Sequence, residues 1–270
     1  MVGWPVAHSR SPAIQNAALA AAGLTGWRYQ LLPAPPELLS ELLAALPEAG
    51  FRGVNMTIPH KETALGLATD PTERARAIGA ANTIWFEDEA ASAGAIGADN
   101  TDAPALLRSL PIAIAGASAL VLGAGGSARA AVWALLQAGA AEVRVLNRSP
   151  QRARELCDRL GGIVTDRAQP ADLLVNCTAV GLGSDPAFEQ FPIGPDDVSS
   201  YGCVVDFVYT AAGTELVRAA RERRVPAVDG LELLVGQGAL SFERFTGCPA
   251  PLKAMRRAVG LGDSDYRGAR

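Results

Sequence analysis

The chain has 270 residues, 49% hydrophobic and 19% charged, with a formal net charge of −4. That balance describes a folded, core-forming protein of one large or two small domains and excludes a disordered one. With no basic excess there is no electrostatic footprint for nucleic acid.

Four cysteines without a Cys-x-x-Cys pair, and only two histidines (His8 and His60), argue against a metal site. The Ala-rich stretches are broken by charge, Gly or Pro before they reach membrane length. The expectation is a cytoplasmic protein with free, mostly buried thiols.

In chain order, Ser11-Pro12 opens a helix that runs to Ala22 and stops at Gly23. Tyr29 to Leu32 reads as a short strand, and Glu37 to Leu46 as a second helix ended before Pro47. Gly53 to Ile58 alternates like a strand up to Pro59, and Lys61 starts another helix. From Ala119 the texture changes. Ala119 to Leu122 is a buried strand, followed by a glycine turn and a small-residue helix to Ala138. Further strands are expected at Glu142 to Leu146, Asp172 to Asn176 and Cys203 to Val208, with a helix from Gln151 to Leu160. Leu231 to Phe245 is a final helical group, and Asp263 to Arg270 a polar, frayed end. Strands alternating with helices imply an α/β protein whose second part is a doubly wound parallel sheet.

Gly123, Gly125 and Ala128 fit Gly-x-Gly-x-x-Gly/Ala, placed after an apolar strand and opening a helix. The turn Gly123, Ala124, Gly125, Gly126, Ser127 would bring amide donors and a helix N-terminus to a pyrophosphate. An ordinary tight turn is the plain alternative. Where an NAD site carries an acid, the second strand ends in Asn147, Arg148 and Ser149, with Arg152 one turn on. Arginines there attract a 2′-phosphate, so NADP is expected over NAD.

Outside this unit lie the runs His8-Ser-Arg-Ser-Pro12, Asn55-Met-Thr-Ile-Pro-His-Lys61, Gly79-Ala-Ala-Asn-Thr83 and Asn100-Thr-Asp102. Later come Asn176-Cys-Thr178, Asp206-Phe-Val-Tyr209 and Gly230 through Gln237. In order and spacing they resemble the signature motifs of shikimate dehydrogenases, over nearly the whole chain. The resemblance implies two lobes and a cleft: residues 1–102 with 231–270 as an α/β substrate domain, and 103–230 as a Rossmann-type NADP domain. It implies reversible NADPH-dependent reduction of 3-dehydroshikimate to shikimate, in a monomer or homodimer.

By the same resemblance, Ser9, Ser11 and Tyr209 hold the substrate carboxylate with Thr57 nearby. Asn55, Lys61, Asn82, Asp102 and Gln237 face the ring hydroxyls. Lys61 transfers the proton, with Asp102 coupled to it. Phe207, Gly230 and Glu73 lie near the nicotinamide, Gly230 because a flat ring favours a missing Cβ. Each has a plain alternative: Ser9, Ser11 or Asp102 as helix caps, Asn82 as a turn residue, Lys61 as an exposed first-turn lysine, Tyr209 as a packed aromatic, Gln237 as a paired core amide. His8 is expected to orient the serine motif and His60 to start a helix; neither is the base.

The chain departs from the family pattern at Gln15, where histidine is usual, at Ala98 for glycine and at Ala211 for proline. Extra residues are expected around Glu89 to Ala95. A full strand usually precedes the glycine at Gly3; if it is cut short here, a chain extended at its N-terminus would be more stable. Rival readings are a quinate or aminoshikimate dehydrogenase paralogue, a folate-linked methylene dehydrogenase, which leaves the serine motif unexplained, and a catalytically idle NADP-binding sensor.

Overall fold

The computed structural model describes residues 1–87 and 95–262. The expectations for an enlarged Ala-rich turn within 88–94 and for a frayed end at 263–270 lie outside the described residues. The chain divides into two compact units, Met1–Thr101 with 234–262, and Asp102–Leu233.

The first unit opens with β1 (Val2–Gly3), α1 (Ser11–Ala21), β2 (Leu32–Pro33), α2 (Leu39–Ala45) and β3 (Gly53–Asn55). It continues with α3 (Lys61–Leu67), β4 (Asp70–Pro71), α4 (Glu73–Ile78), β5 (Thr83–Phe86) and β6 (Ile96–Asp99). Four strands form a mixed sheet in the order β3-β5-β6-β4, while β1 and β2 pair in parallel beside it. Leu39, Leu43, Val54, Met56, Ile84 and Ala98 fill its core. Ala22 caps the C-terminus of helix α1, and Gly23 takes the left-handed conformation that stops it, at φ 71°.

Two expected strands are shorter than their sequence pattern. The strand at Tyr29 to Leu32 starts only at Leu32. The N–H and C=O of Tyr29 are taken by the side-chain amide of Asn16, both at 2.9 Å, which replaces a strand partner. The strand from Gly53 stops at Asn55. Beyond it Met56 makes a single bridge to Val2, and the Thr57 N–H turns to the Val2 carbonyl. At the family's usual glycine position, Ala98 is fully buried. The neighbouring Gly97 is the residue that cannot take a Cβ, because the Trp85 ring lies against it.

The second unit runs through α5 (Asp102–Ser109), β7 (Ser118–Leu122), α6 (Gly126–Gln137), β8 (Glu142–Leu146), α7 (Pro150–Leu160) and β9 (Ile163–Val164). Then come β10 (Ala171–Asn176), α8 (Ala187–Gln190), β11 (Tyr201–Asp206), α9 (Glu215–Glu222) and β12 (Ala227–Val228). Helix α10 (Gly230–Thr246) crosses the division between the units, and α11 (Leu252–Ala258) follows.

All six strands of this unit are parallel, in the order β12-β11-β10-β7-β8-β9. A parallel sheet is covered on both faces, which explains the unbroken apolar runs. Ala119, Val121, Leu173, Val175 and Val205 point into one core, and Leu120, Leu122, Leu174 and Val204 into the other. Each such valine or leucine contributes about 1.5–3 kcal/mol when fully buried. The strand order reverses at β7, between β8 and β10, the topological switch where such folds bind dinucleotides.

The strand expected at Cys203 to Val208 occupies Tyr201–Asp206 instead. Its end is set by Asp206, whose carboxylate takes the Val208 N–H at 2.9 Å and turns the chain out of the ladder. All four thiols are free. Burial pushes Cys203 up to about 11, so it is inert as a nucleophile near neutral pH. No helix among the described residues is long and apolar enough to cross a membrane.

Candidate active site

In the first unit a polar cluster forms where β3, β5, the end of β6 and α10 meet. Asn55 and Thr83 are register partners on neighbouring strands, so their side chains share a face. Gln237 and Ser241 lie four residues apart on α10 and share a face too. The Asn55 amide donates to Ser241 Oγ at 2.7 Å and to Thr83 Oγ1 at 3.2 Å, and its oxygen accepts from the Tyr29 hydroxyl at 2.7 Å. Asn82 Oδ1 accepts from the Thr101 N–H at 2.8 Å and the Thr101 hydroxyl at 3.0 Å. Its amide faces Gln237 Oε1 at 3.4 Å, while Gln237 Nε2 donates to the Leu234 carbonyl at 3.0 Å.

The structure thus brings Asn55, Asn82 and Gln237 together, but Asn55 is committed to protein partners. Thr83, Thr101 and Ser241 complete the cluster; the first two lie in motif runs without an expected role of their own, and Ser241 lies outside every run. Their partners are up to 186 residues away, and short hydroxyl side chains carry no local signal.

Lys61 is the first residue of α3 and is 9% exposed. Its carbonyl accepts the Ala81 N–H at 2.8 Å, which ties it to the residue before Asn82. It is not the exposed first-turn lysine of the plain alternative. His60 is fully buried, with Nε2 at 2.9 Å from the Ala34 carbonyl, a structural role at the helix start. Asp102 is the first residue of α5 and is 7% exposed. It directly follows Thr101, whose backbone Asn82 holds.

Ser11 is the first residue of α1, and the N-cap position, Arg10, makes no side-chain capping bond. Ser9 Oγ accepts the Ser11 N–H at 3.3 Å, so Ser9 carries the capping role. The Ser11 hydroxyl is buried at 2% exposure and has no hydrogen-bond partner among the described residues. A buried, unpaired hydroxyl costs about 1–3 kcal/mol, which points to a ligand as its partner. Ser11→Ala is therefore expected to leave the melting temperature unchanged or higher while raising the KM for substrate. A lowered melting temperature with an unchanged KM would show a structural serine instead.

Thr57 is half-buried, its side chain lying against Gly3 and its carbonyl accepting the His60 N–H at 2.8 Å, and His8 is exposed. Gln15, in the family's usual histidine position, is buried and donates to the Gly238 carbonyl at 2.9 Å, joining α1 to α10.

In the second unit, Gly123 has φ 108°, and a Cβ there would come within 3.2 Å of the Cys177 backbone. Its N–H binds the Leu146 carbonyl at 2.8 Å. At Gly125, the N-cap of α6, a Cβ would meet nothing within 4 Å. Its absence leaves the amides at the start of α6 open to an approaching pyrophosphate. Ala124 and Ala128 are buried against the core, and Gly126 and Ser127 form the first turn of α6. These residues fit a dinucleotide cradle.

At the end of β8 the Asn147 amide donates to the Ser149 carbonyl at 2.9 Å and shapes the loop into α7. A cavity of about 660 Å³ opens there, lined by Asn147, Arg148, Arg154, Thr165, Arg167 and Gln169 among others. Arg152 is exposed on α7 and is not among its lining residues. Arg154 and Arg167 were not singled out from sequence. Arg154 lies one helical turn beyond Pro150, but Arg167 arrives from the loop after β9, which no local pattern places there.

Phe207 and Tyr209 follow β11 and are half-buried, and Glu73 is exposed in the first turn of α4, capped by Thr72. An acid there also suits the helix dipole. Gly230 needs its missing Cβ on packing grounds alone. A Cβ would collide with the Val208 carbonyl and come within 3.0 Å of the Asp206 carbonyl.

A parallel sheet in this order, a glycine turn at its switch point and an arginine-lined cavity define a dinucleotide-binding α/β protein with a second, polar-clustered unit. Three families match the chain: shikimate dehydrogenase substrate binding domain at residues 1–84, shikimate / quinate 5-dehydrogenase at 106–180, and shikimate 5′-dehydrogenase C-terminal domain at 230–259. The shikimate dehydrogenase (NADP(+)) of Nitrobacter hamburgensis is 40% identical, over 97% of this chain and 93% of its own. The crystal structure of shikimate dehydrogenase from Aquifex aeolicus superposes with a TM-score of 0.86 at 32% identity, over 96% of both chains. That of shikimate 5-dehydrogenase from Thermus thermophilus, in complex with NADP(H) and shikimate, gives 0.82 at 38% identity, again over 96% of both. The chain belongs to the shikimate dehydrogenase family.

Proposed function

We infer that the chain catalyses the reversible NADPH-dependent reduction of 3-dehydroshikimate to shikimate, a step of aromatic amino-acid biosynthesis. The observation that carries this reading is the pairing, in one chain, of a dinucleotide cradle at Gly123–Gly126 with a buried lysine beside a hydroxyl-and-amide cluster. NADPH, when bound, supplies the hydride.

The chain's own residues do the rest. The α6 N-terminus receives the pyrophosphate, and the Arg148 cavity the 2′-phosphate. Asn147, Ser149 and Arg152 shape and flank that cavity, and Phe207, Gly230 and Glu73 serve the nicotinamide end. Ser9, Ser11 and Tyr209, with Thr57, hold the substrate carboxylate. Asn82 and Gln237 fix the ring hydroxyls, and Asn55 serves them from behind as a scaffold. Lys61 moves the proton at the reacting oxygen, and Asp102 orients it. Residues 1–102 with 231–270 form the substrate domain and 103–230 the NADP domain of a cytoplasmic monomer or homodimer.

The test is absorbance at 340 nm with shikimate or quinate and NADP or NAD in all four combinations. A rate confined mainly to shikimate with NADP is expected. A preference for quinate or NAD would move the chain to the paralogue class. No rate in any combination, with NADP still bound, would replace the enzyme by a sensor.

A further inference from the structure

The last residue of β11, Asp206, is completely buried. Its Oδ1 accepts from the Asn176 amide at 2.8 Å, at the end of β10, and from the Val208 N–H at 2.9 Å. Its Oδ2 accepts from the Thr214 hydroxyl at 2.6 Å. Thr214 in turn caps α9 by accepting the Val217 N–H at 3.2 Å. Asn176 Oδ1 takes both the N–H and the hydroxyl of Thr178, at 3.0 and 2.6 Å. The Phe207 N–H binds the Asn176 carbonyl at 2.9 Å. One carboxylate therefore joins the ends of two adjacent central strands to both ends of segment 207–213.

All three partners of Asp206 donate, which suits an ionised carboxylate. An asparagine would keep one oxygen for Asn176 and Val208 but turn an amide donor towards Thr214, whose hydroxyl would have to accept where it now donates, so the charge-assisted ties become neutral ones. Asp206 forms no ion pair among the described residues. On the elements packed against it, Asp229, the one charge that acts on it, lies against Arg221 at 3.7 Å, and Arg218 of α9 donates to the Gly213 carbonyl at 2.5 Å. An unpaired buried carboxylate destabilises a fold, so its presence calls for a use.

We propose that Asp206 is a positioning residue of the reaction, whose ionised carboxylate clamps segment 207–213 and so sets Tyr209 for the substrate and Phe207 for the cofactor. This rests on the roles inferred above for those two residues. It acts through them and does not touch the reacting atoms.

Burial, reinforced by Asp229 and opposed by the three hydrogen bonds, pushes Asp206 up to about 6. A carboxylate whose folded pKa is raised makes the fold less stable as pH rises from its ordinary 3.8 to about 6. The clamp and the stability thus run in opposite directions with pH.

The test compares Asp206→Asn with the wild type from pH 5 to 8. Readouts are KM and kcat for shikimate, melting temperature, and hydrogen exchange at the Val208 amide. Asp206→Asn is expected to keep its melting temperature at pH 8 and to raise the KM for shikimate about 10-fold. It should lower the protection of the Val208 amide, whose acceptor becomes a neutral amide oxygen, and lose an acidic limb near pH 6 that the wild type shows in kcat/KM. Asp206→Glu, which restores the charge, should recover part of the KM.

An unchanged KM and pH profile would overturn the proposal. So would a parallel fall of stability and kcat/KM at every pH, which describes structure alone. If the wild type does not turn over shikimate, the functional reading fails. The clamp is then judged by Val208 exchange, and wild-type protection that does not change through pH 6 overturns it.

Discussion

Replacing Lys61 by alanine is expected to lower kcat by about 10²–10⁴-fold and to leave the KM for shikimate little changed. Oxidising a secondary alcohol requires its proton to leave as hydride departs, and the reverse reaction requires one to return. Lys61 is suited to that task by rigidity as well as by chemistry. It stands in the first turn of α3, is largely shielded from water, and its carbonyl is held by Ala81. A flexible, solvated lysine would meet the hydroxyl only part of the time. Steady-state kinetics with saturating NADP check the expectation, and NADP binding by the variant checks that the second unit is intact. A wild-type kcat would remove Lys61 from the chemistry.

The second large effect is expected at Arg148. Arg148→Ala should raise the KM for NADP by about 10–100-fold, the loss of one charge-assisted contact of about 1.5–3 kcal/mol, and barely alter that for NAD. The cavity at the end of β8 is also lined by Arg154 and Arg167, the latter facing Asp166 at 3.9 Å, so on the proposed reading the 2′-phosphate would be shared among three arginines. Arg154→Ala and Arg167→Ala should therefore each have a smaller effect of the same selectivity. Kinetics with both cofactors decide it, and equal losses with NAD and NADP would show that these arginines do not read the 2′-phosphate.

Legibility followed the range of the interactions. The turn from Gly123 to Ala128 could be read because its demands are local. A strand, a positive φ at Gly123 and a small residue at Ala128 all fall within a few residues. The parallel strands could be read because burial on both faces makes them continuously apolar. The strand at Tyr29 misled because Asn16 captures its backbone from another element. Helix α9 passed unremarked despite Thr214 as its cap and the apolar Leu216, Val217, Ala219 and Ala220. In the candidate site, motif residues such as Asn82, Lys61 and Thr101 were visible, whereas Ser241 was not. Nothing near Ser241 in the chain announces that Asn55 and Thr83 depend on it.

That dependence bears on how the chain is made. The first unit takes its last helices from residues that follow the whole of the second. When Thr101 leaves the ribosome, Gln15, Asn55 and Thr83 still lack Gly238 and Ser241, 223, 186 and 158 residues away respectively. Closing a free loop of 223 residues costs about 2 kcal/mol more than closing the 27-residue link between Asn55 and Asn82. The nascent first unit thus carries unpaired amides and an uncovered apolar face through most of synthesis. That interval, more than the finished protein, is where aggregation and chaperone capture would act.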